Sequence, residues 1–274
     1  MRNSMLKKKV ITILLTVIVF LSAAVLGIST VYRVKDVNVR AQTISQDAEM
    51  ETTALRKKLK TAYYKQSIFF TDDQITKEIL KEFPYLRLIS FERAYPDLLV
   101  VRVAEDAEVF ATAISETEEG YYILNAEGTV LGQRENYINR AETDVGGKNI
   151  LLSGKDKGEV LSGQACMEKL FPFCQKLSSL LGDKIRANVL SVETIAPTTQ
   201  DKDAYFCLQM HEGVRIYLFE PTSNIDEKLQ KAIEKYFSLS DGEKMTGRIA
   251  VMENASGLTV DYSGVDSFQP SEDE

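Results

Sequence analysis

The residue types that could carry out catalysis are few in this sequence, and their spacing suits none of the usual chemistries. The only histidine, His211, stands in His211-Glu212-Gly213 between two strand-like runs. A general base needs an acid that orients it, and none is readable from the sequence, so surface placement is expected. A metal site built from several histidines is impossible. Cys166 and Cys174 fall eight residues apart in one helical stretch, about 12 Å as a helix, too far to bridge. With Cys207, in the strand-like AYFCLQM, they read as three buried thiols acting as small apolar residues. Ser4 and Lys7 have Ser-x-x-Lys spacing but precede the first apolar run, and Glu116, Glu118 and Glu119 flank a loop as a solvated cluster. The stretch LLSGKDKGEVLSG lacks the GxxxxGK spacing that cradles phosphate. No catalytic, cofactor-binding or metal-binding residue is therefore expected, no small-molecule substrate is implied, and the chain reads as a non-enzyme.

The elements that frame these residues begin with an uneven charge distribution. The 274 residues carry 33 Lys+Arg and 40 Asp+Glu, a net charge of −7, which argues against nucleic-acid binding. Residues 1–9, MRNSMLKKK, hold four basic residues and no acid, so the remainder carries −11. The run from Val10 to Tyr32 has no charge and as a helix would span roughly 34 Å, enough for a hydrocarbon core of about 30 Å. The basic start predicts a single-pass cell-membrane protein with a cytoplasmic N-terminus and the rest outside. A cleaved signal peptide, with Ser22-Ala23-Ala24 as its cleavage site, is the rival reading.

Beyond Arg33 the pattern becomes α+β. Val34, Val37 and Val39 predict a strand, and Asp47 to Tyr64 a helix whose basic run, Arg56, Lys57, Lys58 and Lys60, is a solvated face. In FFTDDQITKEILKEFP, Thr71 and Gln74 have capping-box spacing, Phe70 and Ile75 that of a hydrophobic staple, and Ile75, Ile79 and Leu80 form an inward stripe. Leu86 to Arg93 and Leu98 to Ala104 read as strands around the turn Ala94-Tyr95-Pro96-Asp97. A strand from Val109 to Ala113 and a hairpin, Tyr121 to Leu124 and Thr129 to Leu131, follow, with Gly128 suited to positive φ. Residues 133–148 read as a surface loop, and Gln164 to Leu181 as a helix broken or kinked at Pro172. Ala187 to Glu193, Ala204 to Met210 and Val214 to Phe219 are expected strands. Asn224 to Phe237 is an amphipathic helix with Ile225, Leu229, Ile233 and Tyr236 on one face, and Arg248 to Met252 with Leu258 to Tyr262 close the chain as a hairpin. The acidic tail from Ser263 is expected to be disordered.

Strand, helix, helix, strand, strand is the layout of a POTRA domain. The stretch FPYLRLISFERAYPDLLVVRVAE resembles the signature of the bacterial cell-division proteins FtsQ and DivIB, with Pro84, Arg93, Tyr95, Pro96, Leu99 and Glu105 on its spacings. YYILNAEGTVLG is similar to the start of that family's β domain, with Asn125 where an Asp is common. The chain departs from the pattern at Ala41, where the family has Gly, and at Asp106 and Glu108, where it has a basic residue and Pro. The resemblance implies a tail (1–9), a transmembrane helix (10–32), a POTRA domain (33–104), a mixed α/β domain of FtsQ/DivIB type (105–262) and an acidic tail (263–274).

It also implies work as a divisome scaffold at the division septum, binding FtsL-type and DivIC/FtsB-type coiled-coil partners and supporting septum formation. In that family the last strands take up a partner segment. The matching positions are Arg248, Ile249, Val251, Glu253, Ser256, Leu258, Val260 and Tyr262. The alternatives are a POTRA-containing membrane-anchored chaperone or transport accessory protein and an anchored cell-wall enzyme.

Overall fold

The computed structural model describes the chain except for residues 1, 138–147, 157–158, 196–203, 221–222, 256 and 267–274. It is α+β, and its contacts divide it into two units, Met1–Asp106 and Ala107–Glu274.

The first unit runs α1 (Arg2–Val31), β1 (Asp36–Gln42), α2 (Gln46–Tyr63), α3 (Gln74–Leu80), β2 (Leu86–Ala94) and β3 (Leu98–Glu105). Its sheet has the order β1-β3-β2, with β1 parallel and β2 antiparallel to β3. Val37 and Val39 alternate into the core, where Leu99, Val101 and Val103 of β3 and Ala48, Leu55, Leu59 and Tyr63 of α2 are also buried. The α2 residues recur at three- and four-residue steps, so one helical stripe closes the sheet face. Ser45 caps α2 by accepting the Ala48 N–H, and the Glu105 carboxylate accepts the N–H groups of Ile44 (2.5 Å) and Ser45 (2.9 Å). Glu105 thus ties the end of β3 to the positive end of α2. Arg93 donates through Nε to the Thr71 carbonyl (3.0 Å), Leu99 is fully buried, and Tyr95 and Pro96 stand exposed at the β2–β3 turn.

Two expectations in this unit are corrected. The transmembrane helix over 10–32 is not supported, nor is the single-pass membrane and septal localisation built on it. Among the described residues, no helix is long and apolar enough to cross a membrane. The second correction is at α3. Thr71 is buried and its hydroxyl donates back to the Ile68 carbonyl, while Asp72 accepts the Gln74 N–H and Phe70 is 88% exposed. A short 3-10 turn, Ile68–Phe70, draws Thr71 inward, so neither capping box nor staple forms.

The second unit runs β4 (Phe110–Ala113), β5 (Tyr121–Leu124), β6 (Val130–Arg134), β7 (Ile150–Asp156), β8 (Glu159–Leu161), α4 (Gly163–Leu181), α5 (Ile185–Asn188), β9 (Val189–Ile195), β10 (Tyr205–Met210), β11 (Arg215–Phe219), α6 (Ile225–Ser238), α7 (Asp241–Lys244), β12 (Arg248–Asn254) and β13 (Gly257–Ser263). These strands form one mixed sheet in the order β13-β12-β11-β10-β9-β7-β4-β5-β6, with β8 beside β7. The stripes of α4 (Cys166, Leu170, Cys174, Leu177) and α6 (Leu229, Ala232, Ile233, Tyr236) bury Leu152, Val192, Leu208, Ile216, Leu218, Ile249 and Val251 in one core. α4 continues through Pro172. Strand β7, just beyond the expected loop of residues 133–148, joins β4 to β9 by parallel pairing on both sides. Its Gly154 lies so close to β9 that an added Cβ would sit 2.6 Å from the Thr194 carbonyl oxygen. The expected disordered tail is corrected in part. β13 includes Ser263, and Asp266 accepts from the Tyr217 hydroxyl (3.1 Å), while 267–274 lie outside the described residues.

Glu51 on α2 accepts the Tyr85 N–H at 3.0 Å, and burial pushes its carboxyl from 4.5 up to about 7. The folded state then holds this proton more tightly than the unfolded chain. Its contribution to stability is complete below about pH 4.5 and is lost as the pH rises through about 7. Glu51→Gln should flatten this slope, read as the urea midpoint followed from pH 4.5 to 8.

Candidate interaction edge

The β11–α6–β12 crossover sets β12 parallel to β11, and the β12–β13 hairpin then leaves β13 as the last strand of its sheet. The outer side of β13 offers a row of backbone donors and acceptors to an added strand. In a two-residue hairpin the closing pair, Asn254 and Gly257, is hydrogen-bonded. Alternation then turns the N–H groups of Leu258, Val260 and Tyr262 outward.

Other edges are blunted. Arg56 donates to the Val39 carbonyl of β1 (3.2 Å), and β2 is interrupted by a register shift between Leu88 and Ser90. At the far end of the larger sheet, Arg134 on β6 is committed to a buried pair with Glu108, which also accepts from Asn149 at 2.9 Å. Glu108, where the resemblance puts a different residue, thus joins three segments of the second unit.

The residues expected to bind a partner fall into groups with different roles. Ile249 and Val251 are fully buried in the core of β12, between β11 and β13, and cannot touch a partner. Arg248 is half-buried at the start of β12, and Ser256 lies outside the described residues. Leu258, Val260 and Tyr262 are half-buried on the helix-covered face, with the Tyr262 hydroxyl donating to the Glu243 (2.9 Å) and Thr246 (3.3 Å) carbonyls. Glu253 is engaged internally, accepting from Ser223 (2.9 Å) and Asn224 (2.8 Å) and facing Lys228 at 3.7 Å. The Ser223 hydrogen bond, with Asn224 and the Lys228 charge, holds its carboxyl below the usual range.

Sequence reasoning missed Lys228. Its side chain is fully buried and Nζ donates to the Phe219 and Glu220 carbonyls, both at 3.0 Å. The signal was available, because 225, 228, 229, 232, 233 and 236 make a complete three-and-four stripe.

Residues with catalytic potential are dispersed. His211 is exposed, its ring Nε2 3.0 Å from the Arg186 carbonyl. All three thiols are buried, which pushes Cys166 and Cys174 up and Cys207 up to about 12. On the face away from the helices, Tyr205, Cys207 and Tyr217 pack together beside a cavity of about 170 Å³ also lined by Glu193 and Arg215. Among the described residues no group of three His, Cys, Asp or Glu side chains is placed to hold a metal ion.

No protein-family model matches the chain, and no curated protein is significantly similar to it.

Two substitutions separate scaffold from surface. Lys228→Met removes the donor to the Phe219 carbonyl and one of the two donors to the Glu220 carbonyl, which keeps the Ser223 N–H, and should cost about 2 kcal/mol in urea unfolding. Ile249→Asp buries an unpaired carboxylate and should abolish the cooperative unfolding transition of the second unit, followed by circular dichroism.

Proposed function

We propose that the chain is a non-catalytic scaffold of the FtsQ/DivIB type, whose second unit accepts an extended segment of a coiled-coil division partner along β13. The observation that carries this reading is the seven-residue edge strand Gly257–Ser263, which has no strand on its outer side among the described residues. Support comes from the first unit, where the strand-helix-helix-strand-strand order and the signature residues combine. Leu99 fills its core, Arg93 braces the Thr71 carbonyl, and Glu105 fixes the start of α2. Partners of the FtsL and DivIC/FtsB types fit an edge of this kind because a short extended stretch beside a coiled coil can add as one more strand. The scaffold's contribution to septum formation would be to hold those partners together.

The test is capture of purified FtsL-type and DivIC/FtsB-type partners by the full chain. Val260→Pro deletes an outward donor while keeping an apolar ring on the core side. It should reduce partner recovery at least tenfold with a circular dichroism spectrum like that of the parent. Undiminished recovery by the folded variant would overturn the reading.

A further inference from the structure

The two faces of β13 differ in a way that specifies what can lie beside it. Leu258, Val260 and Tyr262 face the core, and Thr259 and Asp261 are exposed on the opposite face. Asp261 sits near the middle of the strand, opposite Ala250 of β12, a side chain with no charge. Among the described residues the Asp261 carboxylate has no hydrogen bond or ion pair, its backbone being paired with β12. The nearest cation by register is Arg248, on the diagonal through the Arg248–Ser263 pair, and no ion pair joins them. The other carboxylates nearby are occupied: Glu253 by Ser223, Asn224 and Lys228, and Asp266 by Tyr217 and Arg215. Among the described residues Asp261 is thus the carboxylate of this edge that no side chain or backbone group engages.

A strand added to β13 would place a side chain directly opposite Asp261, about 5 Å away between Cβ atoms, and would take part of its hydration. An apolar residue there leaves a half-desolvated carboxylate, and an acidic one adds repulsion. A basic residue replaces the lost water with an ion pair. On the other face, alternate positions of the incoming strand continue the apolar row of Leu258, Val260 and Tyr262.

We infer that the segment received by β13 is an extended strand that carries Lys or Arg opposite Asp261 and apolar residues at alternate positions in line with Leu258, Val260 and Tyr262. This inference rests on the edge-docking reading above and adds the charge and pattern of the partner segment.

Two synthetic peptides test it. Each is a nonapeptide of alternating Thr and Val flanked by Ser-Gly, one with Lys and the other with Glu at its central polar position. Binding to the full chain is measured by fluorescence anisotropy at about 0.1 M salt, with the parent, Asp261→Lys and Val260→Pro proteins. The Lys peptide should bind the parent roughly 3- to 10-fold more tightly than the Glu peptide, the range expected from one cross-strand charge pair and its reversal. Asp261→Lys should invert that order, a change that non-specific attraction to an acidic protein would not produce. Equal binding of both peptides, or no inversion, overturns the charge assignment while leaving the edge reading in place, provided that Val260→Pro weakens both. Binding of neither peptide, or binding indifferent to Val260→Pro, overturns both readings. A parent protein that sediments as a dimer and becomes monomeric in Val260→Pro names a second copy as the occupant and likewise overturns the inference.

Discussion

The second unit depends on one cation taken out of water. Lys228 reaches from the first turn of α6 to the carbonyls at the end of β11, and its charge faces Glu253 near the end of β12. An ammonium in that position is tolerable only with its donors satisfied, and here they meet the carbonyls of Phe219 and Glu220 at the end of the strand. The consequence is geometric. The helix start and the ends of two parallel strands are held at one point, which fixes where β12 runs and so where the hairpin can place β13. Glu253 completes the arrangement through Ser223 and Asn224, both just before α6. An edge strand whose own side chains provide few outward contacts is positioned from behind.

The first unit solves a similar problem with a carboxylate. Glu105 leaves the end of β3 and accepts two N–H groups just ahead of α2, where the helix dipole favours negative charge. Tyr63, at the other end of α2, donates to the Asp72 carbonyl (2.7 Å) and lies 3.0 Å from the Thr76 hydroxyl. Both ends of one helix are therefore tied by side chains to parts of the chain that are distant or oppositely directed. Such ties matter in a unit with only three strands, because its small core leaves little hydrophobic stabilisation in reserve.

What the sequence revealed follows from periodicity. The strands around Val37 and Val39, the pairs flanking the Tyr95-Pro96 turn and the stripe of α6 carry regular spacings, and all were legible. β7 was assigned no element, because a strand between parallel neighbours need not alternate and Ser153 and Gly154 interrupt its apolar run. The glycine is there for close approach to Thr194, a reason invisible until β9 is beside it. The α3 cap failed for a related cause. Thr71 and Gln74 have the right spacing, but the preceding 3-10 turn directs the Thr71 hydroxyl backward. Ile249 and Val251 were placed on the docking surface because a hairpin in sequence does not say which of its strands is internal. Lys228 was not singled out, since a charge is discounted by default on a buried stripe.

The same separation of roles explains why the edge itself can remain simple. Apolar contacts of β13 face inward and hold the strand whether or not anything is added outside. The backbone outside is generic and would pair with any extended chain, so selectivity must come from side chains that are indifferent to folding. Asp261 meets that condition: it is exposed, opposite an alanine, and uninvolved in the network that fixes the hairpin. Water satisfies its charge while the edge is empty, and covering it without a cation is unfavourable. One carboxylate thus discourages indiscriminate strand addition and favours a basic partner, without altering the core that holds the edge in place.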